Sequence, residues 1–199
     1  MHNQRSVVVT GASSGIGRVT ALLLARRGWR VFAGVRKEDD AQSLRDEGLA
    51  RLTPLMLDIT GAEQIQAAVE SISETVGSAG LDGLVNNAGV AHPGPLEYVP
   101  LDVLRNQIEI NVIAQVAVTQ AFLPLLRRAT GRIVNMSSIS GRIALPVLGP
   151  YAMSKFALEA FSDALRRELV PWGIHVAVIE PGSFRSRAWG KALTMGETM

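Results

Sequence analysis

A tyrosine and a lysine, Tyr151 and Lys155, are four residues apart in a segment with helical character. Residues at positions i and i+4 of a helix share one face, so the phenol and the ammonium are expected to be neighbours. A free phenol ionises near pH 10, and a neighbouring ammonium stabilises its phenolate. The pair therefore predicts a tyrosine whose pKa is lowered toward the range of acid–base catalysis. The same spacing is also common on exposed amphipathic helices, so the pair does not decide the matter alone.

A serine, Ser138, follows a predicted strand at Arg132–Met136 and precedes Tyr151 in the chain. Ligands of open α/β sheets bind beyond the carboxyl ends of the strands, so this hydroxyl is expected to lie where it can hydrogen-bond a substrate carbonyl. The adjacent Ser137 points to the opposite face, because side chains alternate along a strand. Ser138 thus makes a catalytic role for Tyr151 and Lys155 more probable than the amphipathic alternative.

A glycine-rich segment, TGASSGIG at residues 10–17, lies between the first predicted strand and the first predicted helix. Glycine permits a tight turn and a close approach of the backbone to a pyrophosphate, and a helix N-terminus offers free N–H groups to phosphates. An ordinary strand-to-helix turn is the alternative, but the position in the first unit of an alternating chain favours dinucleotide binding.

The predicted elements alternate along the whole chain. Short β-branched runs predict six strands, and the segments between them have helical periodicity. This alternation predicts an α/β fold, a Rossmann-like doubly wound parallel sheet with helices on both faces, in a single domain over residues 1–199. The predicted strands are Ser6–Thr10, Val31–Val35, Arg51–Leu57, Leu81–Val85, Arg132–Met136 and His175–Ile179.

Composition excludes several classes of protein. The 199 residues are 47% hydrophobic and 19% charged with a net charge of +2, which is unlike a disordered chain or a nucleic-acid-binding surface. The absence of cysteine excludes disulfides, thiolate metal sites and cysteine nucleophiles. The aliphatic stretch at residues 112–126 is interrupted by polar residues and Pro124, and is too short for a membrane span. No His, Asp and Glu residues have metal-ligand spacing, and a cytoplasmic protein without a bound metal is expected.

Four motifs together resemble the single-domain short-chain dehydrogenase/reductases: TGASSGIG at residues 10–17, NNAG at residues 86–89, Ser138, and Tyr151-x-x-x-Lys155. They occur in the family's order and spacing, and the resemblance extends from Val7 to about Ser186. It implies reversible hydride transfer between a nicotinamide cofactor and an alcohol or carbonyl, with Tyr151 as the acid or base. It also implies that Ser138 polarises the substrate oxygen, that Lys155 binds the nicotinamide ribose, and that Asn111 completes a proton relay.

The residues and the resemblance together give a set of candidate site residues. Asp58 resembles the acceptor for the adenine amino group, and the segment after the sixth strand resembles the one beside the nicotinamide carboxamide. The catalytic candidates are Asn111, Ser138, Tyr151 and Lys155; the cofactor-binding candidates are Gly11, Ser13, Ser14, Gly15, Ile16, Gly17, Arg36, Lys37, Asp58, Ile59, Asn87, Ala88, Gly89, Tyr151, Lys155, Pro181, Gly182 and Ser183.

The end of the second strand predicts which nicotinamide cofactor is used. A carboxylate there binds both ribose hydroxyls of NAD, whereas a guanidinium pairs with the 2′-phosphate of NADP. Val35 occupies the position where NAD-preferring relatives usually carry Asp, and Arg36 and Lys37 follow it. NADP(H) is therefore predicted over NAD(H), although two solvated loop cations would give the same sequence.

The substrate is predicted less specifically. Apolar residues surround the segment between Ser138 and Tyr151, and Phe184 and Trp189 follow the sixth strand. They suggest a pocket for a hydrophobic alcohol, ketone or aldehyde of the kind used by the steroid- and retinol-dehydrogenase-like branch, although loop packing is an equal alternative. A homodimer or homotetramer is expected, since the family pairs the helices at residues 101–126 and 150–169.

The C-terminus departs from the family pattern, in which a substrate-covering helix pair and a seventh strand follow. The chain ends at Met199, so this strand and the lid are expected to be absent. A catalytically impaired dinucleotide-binding or scaffold protein is thus an alternative. A sugar-nucleotide epimerase or dehydratase is a further one, disfavoured because such enzymes need a larger C-terminal domain.

Overall fold

The fold is an open parallel sheet that alternates with helices along the chain. The computed structural model describes residues 4–182. The strands are β1 Ser6–Val9, β2 Arg30–Val35, β3 Leu52–Met56, β4 Gly83–Asn86, β5 Arg132–Met136 and β6 His175–Ile179. The helices are α1 Gly15–Arg26, α2 Glu38–Arg45, α3 Ala62–Val76, α4 Leu101–Ile108, α5 Ala114–Ala129 and α6 Gly149–Glu168.

The strand order is β3-β2-β1-β4-β5-β6, with every neighbouring pair parallel. The chain builds the sheet outward from β1 to β3, and then returns to place β4 on the other side of β1. The boundary between β1 and β4 is the switch point, where ligands of doubly wound sheets bind. Pro54 lies in β3, where a missing N–H is tolerated because β3 is an edge strand. The predicted α/β Rossmann-like sheet is thereby confirmed.

Two apolar layers cover the sheet, one on each face. Helices α3, α5 and α6 contribute to one layer, in which Val8, Phe122 and Ile133 are buried. Helices α1 and α2 contribute to the other, in which Val9, Ala33 and Leu44 are buried. Burying both faces requires strands that are apolar along their whole length, which is why β1 reads Ser-Val-Val-Val.

Helices α4 and α5 belong to one continuous helix, Leu101–Ala129, joined by a π-helical turn at Glu109–Ile113. By length and composition alone this helix is apolar enough to cross a membrane, but core helices of soluble proteins meet the same criterion, so it is weak evidence of a span. Its residues Val118, Phe122 and Leu126 are buried against the sheet. One face of the helix thus packs on the core, and 39% of its most apolar stretch is buried.

Candidate active site

The glycine-rich turn folds tightly against the end of β4. Gly11 and Gly15 have φ values of +65° and +56°, a region that favours glycine. A Cβ on Gly11 would lie 2.7 Å from Ala88 Cα, and one on Gly17 would overlap Asn87 Nδ2 and the Gly11 carbonyl. The close fit leaves the N-terminus of α1 uncovered, since Ser14, Gly15 and Ile16 are exposed. A helix N-terminus open to solvent, beside close-packed glycines, fits the pyrophosphate of a dinucleotide.

Hydrogen bonds join this turn to the segment after β4. The Thr10 hydroxyl accepts hydrogen bonds from the N–H groups of Asn87 and Ala88, at 2.9 and 3.0 Å. Asn87 Nδ2 donates to the Thr10 and Gly11 carbonyls, and Gln115 Nε2 donates to the Ala88 carbonyl. The structure thus brings together two of the predicted cofactor-binding segments at the switch point of the sheet.

Replacing Gly17 by Ala should disrupt both the fold and dinucleotide binding, because the new methyl group meets the Gly11 backbone as well as the Asn87 side chain. We expect a loss of about 1–3 kcal/mol in the free energy of unfolding, as for other forced overpacking. NADPH binding should weaken at least about tenfold, since each 1.4 kcal/mol changes affinity by that factor. Thermal unfolding and nicotinamide fluorescence measure the two effects.

Gly61→Ala is the matched control for this substitution. Its added Cβ would make ordinary contacts of 3.6 Å and longer. It should therefore change stability by no more than about 1 kcal/mol and leave NADPH binding intact. Equal behaviour of the two variants would contradict the close packing of Gly17.

The next predicted cofactor residues surround the ends of β2 and β3. Arg36 and Lys37 are exposed, and Ile59 is buried. Burial raises the pKa of the Asp58 carboxyl, but hydrogen bonds from the Thr60 N–H and hydroxyl and the charge of Arg36 lower it below its usual value. Asp58 is therefore a charged hydrogen-bond acceptor close to the Arg36 guanidinium.

Ser138 and Tyr151 lie in a partly buried site after β5 and at the start of α6. Ser138 is 8% exposed, and its Oγ accepts a hydrogen bond from the Ser140 N–H at 3.1 Å. Burial raises the pKa of the Tyr151 phenol above its usual value, and the neighbouring Ser138 hydroxyl lowers it by less. This direction is opposite to the lowered pKa predicted from the Tyr-x-x-x-Lys spacing.

The position of the Lys155 ammonium explains the difference. Its Nζ lies 5.6 Å from the centre of the Tyr151 ring and donates a 2.7 Å hydrogen bond to the Met136 carbonyl. The ammonium is thus held at the end of β5 and does not outweigh the effect of burial on the phenol. Lys155 is itself 6% exposed, and burial lowers its pKa to about 8.

Asn111 lies in the π-helical turn and contacts two parts of the site. Its Oδ1 accepts a hydrogen bond from the Val90 N–H, and its Nδ2 donates to the Val90 carbonyl and to Ser154 Oγ. A Cβ on Gly89 would lie 3.1 Å from Asn111 Oδ1 and 4.0 Å from Lys155 Nζ. Extra residues in a helical turn frequently mark functional positions. The π turn therefore places Asn111 between the NNAG segment and the catalytic helix.

Sequence reasoning missed several polar residues that support this arrangement. The buried Ser154 joins Asn111 to the Tyr151 carbonyl, and Gln107 accepts a hydrogen bond from the His92 N–H at 2.6 Å. Gln107 and Gln115 could have been found in the sequence only because they are polar residues on the apolar face of a predicted core helix. Pro181 contacts the site through its carbonyl, which accepts a hydrogen bond from the Ile139 N–H, and Gly182 is exposed.

The remaining predictions fall outside the described residues. They concern Ser183 as a cofactor-binding residue, Phe184 and Trp189 in the substrate pocket, and the expectation that the seventh strand and lid are absent. Within residues 4–182, no group of three or more His, Asp and Glu side chains is arranged to hold a metal ion.

The similarity of this chain to known proteins is consistent with the fold and the site described above. The family model for short chain dehydrogenase matches residues 5–195. The chain is 44% identical to an NADPH-dependent 3-dehydrocapnine reductase from Ornithobacterium rhinotracheale over 96% of this chain and 70% of the relative. It is 47% identical to a 17-beta-hydroxysteroid dehydrogenase type 6 from Bos taurus over 90% of this chain and 57% of the relative, so it spans little more than half of that protein.

A solved structure gives the same result for the fold. A short chain dehydrogenase from Burkholderia cenocepacia, solved in complex with NADP, is 32% identical with a TM-score of 0.83. The match covers 94% of this chain and 76% of that structure. With the glycine-rich turn, the NNAG segment and the Ser-Tyr-Lys group at the same end of the sheet, the chain belongs to the short chain dehydrogenase family.

Proposed function

We propose that this protein is an NADP(H)-dependent oxidoreductase that interconverts a hydrophobic alcohol with its ketone or aldehyde. One observation carries the proposal. Ser138, Tyr151, Lys155 and Asn111 converge at the carboxyl ends of the strands, where the glycine-rich turn also lies. A dinucleotide-binding scaffold would have no physical need for those four side chains. The names of the two relatives, a reductase and a dehydrogenase, support catalysis as well.

Each catalytic side chain has a separate role in this proposal. A bound nicotinamide supplies or accepts the hydride. The Tyr151 hydroxyl gives a proton to the substrate oxygen in reduction and takes it back in oxidation, and the Ser138 hydroxyl donates a hydrogen bond to the same oxygen. The Lys155 ammonium stabilises the phenolate left on Tyr151. Asn111 fixes the Val90 backbone and Ser154, and so holds the NNAG segment against α6.

The preference for NADP(H) over NAD(H) rests on Arg36. Its exposed guanidinium lies after β2, near the Asp58 carboxylate, and can pair with two oxygens of a 2′-phosphate. Lys37 adds a second positive charge at the same strand end. The NADPH dependence in the name of one relative and the NADP in the solved neighbour support this preference.

Arg36→Ala tests the preference. Loss of one charged, bidentate contact should weaken NADPH binding by roughly 10- to 100-fold, as expected for about 1.5–3 kcal/mol. NADH binding should change little, because NADH has no 2′-phosphate. Titrating both cofactors by nicotinamide fluorescence measures the ratio directly.

Arg105→Ala is the control, since it removes the same charge from an exposed position on α4. It should leave the affinity for both cofactors unchanged. Equal weakening of NADPH and NADH by Arg36→Ala would contradict recognition of the 2′-phosphate.

The hydrophobic substrate is supported by apolar side chains around the site. Ile139, Ile143, Leu145 and Val147 are each about half exposed in the segment between Ser138 and Tyr151. Exposed apolar residues concentrated beside catalytic groups suit an apolar ligand. A screen of hydrophobic ketones and aldehydes for NADPH consumption tests this; NADPH binding without turnover of any of them would favour the scaffold alternative.

Assembly and location complete the proposal. Ile113, Met153 and Phe156 are exposed apolar residues on the π turn and α6, and a second copy pairing these helices would bury them. Sedimentation of the purified chain measures whether it forms a homodimer or homotetramer. A cytoplasmic location stays part of the proposal, tested by fractionating cells that express the chain.

A further inference from the structure

Glu159 is a buried carboxylate to which the proposed chemistry assigns no role. It is 6% exposed and lies four residues after Lys155 on α6, so Tyr151, Lys155 and Glu159 follow one another along one helix face. Burying a carboxylate in the core is costly unless a positive charge or hydrogen bonds compensate it. The position of Glu159 beside a buried lysine therefore suggests a functional reason for keeping it.

Arg142 binds this carboxylate from the turn that follows β5. Its Nη2 lies 3.2 Å from Glu159 Oε2, and it also donates to Glu180 Oε1 from Nε and Nη2 at 3.0 and 2.8 Å. The guanidinium thus joins α6 to the end of β6. This ion pair places a positive charge beside the buried Glu159 carboxylate.

The turn at Ile139–Gly141 packs directly on Glu159. A Cβ on Gly141 would lie 2.8 Å from Ser137 Oγ, 3.0 Å from Glu159 Cγ and 3.1 Å from its Oε1. This turn begins one residue after Ser138, so the carboxylate is in contact with the segment that carries the catalytic serine. Glu159 therefore lies beside the turn that follows Ser138 and on the helix face that carries Tyr151 and Lys155.

The charge of Glu159 acts on Lys155 as well as on Arg142. Burial lowers the pKa of Lys155 to about 8, and the Glu159 carboxylate opposes that effect. The other ionisable groups around this part of the site are Tyr151 on α6, Arg142 after β5 and Glu180 after β6, and the two latter pair with one another. Among the residues the structure describes, Glu159 is the one charge that raises the pKa of Lys155.

We propose that Glu159 is a positioning residue for the oxidoreductase reaction, whose buried carboxylate, held by Arg142, keeps Lys155 in its ammonium form beside Tyr151. The proposal rests on the proposed function, because the ammonium matters only if Tyr151 exchanges protons. Without Glu159, Lys155 loses its proton closer to neutral pH and can no longer stabilise a phenolate.

Titration of Lys155 in the Glu159→Gln variant tests the proposal without needing turnover. The chain contains only three lysines, Lys37, Lys155 and Lys191, so a lysine-labelled sample gives three side-chain NMR signals. The signal missing from Lys155→Met identifies Lys155. We expect its pKa to fall by about one unit or more in Glu159→Gln, as for loss of a close opposite charge.

The matched control is Glu168→Gln, which removes the same charge from an exposed position on the same helix, thirteen residues beyond Lys155. It should leave the Lys155 titration unchanged, since about 20 Å of helix exceeds the screening length at physiological salt. Glu159→Asp keeps the charge and should restore most of the wild-type pKa. Glu159→Met tests the same loss of charge if Gln is not accommodated in the fold.

An unchanged Lys155 titration in folded Glu159→Gln would overturn this role and leave the oxidoreductase proposal intact. A shifted Lys155 titration in a protein that turns over no carbonyl compound would contradict the proposed function and leave the role of Glu159 intact. With a substrate in hand, the loss of activity of Glu159→Gln should grow as pH rises from about 7 to about 8, because Lys155 deprotonates across that range. A purely structural role would lower activity equally at every pH.

Discussion

Replacing Tyr151 by Phe is expected to lower kcat by roughly 10²- to 10⁴-fold, the usual contribution of a positioned general acid or base. The substitution removes only the hydroxyl, which is the group that exchanges a proton with the substrate oxygen. NADPH consumption with a hydrophobic ketone measures the effect. The affinity for NADPH should change little by comparison.

Tyr98→Phe is the matched control, because Tyr98 is the only other tyrosine of the chain and is 73% exposed. It should keep wild-type activity. The free energy of unfolding of both variants should lie within about 1 kcal/mol of the wild-type value, since each variant loses only one hydroxyl. Full activity of Tyr151→Phe would contradict the assignment of Tyr151 as the proton donor.

The raised pKa of Tyr151 favours one direction of the reaction near neutral pH. Burial stabilises the neutral phenol, so the hydroxyl keeps its proton and can donate it to a carbonyl oxygen. Oxidation needs the phenolate, whose population increases as pH rises toward the pKa. We therefore expect the proposed oxidoreductase to reduce carbonyl compounds near neutral pH and to oxidise alcohols in more alkaline solution.

Much of the fold could be predicted because it depends on local patterns. The β-branched run at β1 and the alternation of strands with amphipathic helices require a doubly covered parallel sheet, whatever the details of packing. The predicted bounds of β5 and β6 agree with the structure, whereas β4 begins two residues later than predicted, at Gly83. Strand ends depend on pairing with neighbours, which a single segment does not encode.

The site was less predictable wherever it depends on contacts between distant segments. Asn111 could be selected by its type, but its π turn and its bonds to Val90 and Ser154 arise from tertiary packing. The spacing of Tyr151 and Lys155 gave their shared face correctly and the direction of the Tyr151 pKa wrongly, because burial is not visible in the spacing. Glu159 has the same helical spacing from Lys155, and only its burial distinguishes it from a solvated charge.

Replacing Lys155 by Met is expected to stabilise the fold while abolishing most of the activity. The pKa of Lys155 falls from 10.5 to about 8 on folding, so holding its proton in the folded state is unfavourable by about 3 kcal/mol. Met fills a similar volume without a charge. It leaves the Met136 carbonyl without its donor, a loss of about 1 kcal/mol, so a net gain of about 2 kcal/mol is expected at pH 7.

The pH dependence separates this effect from a general change in packing. Below pH 8 the lysine is protonated in both the folded and unfolded states, and the wild type carries the whole penalty. Between pH 8 and 10.5 the unfolded chain binds more protons than the folded one, so wild-type stability rises with pH by up to about 1.4 kcal/mol per unit. The advantage of Lys155→Met should therefore shrink across that window, as measured by denaturant unfolding at each pH. A constant difference at all pH values would mean that folding does not lower the pKa of Lys155, and hence that burial imposes no penalty on its charge.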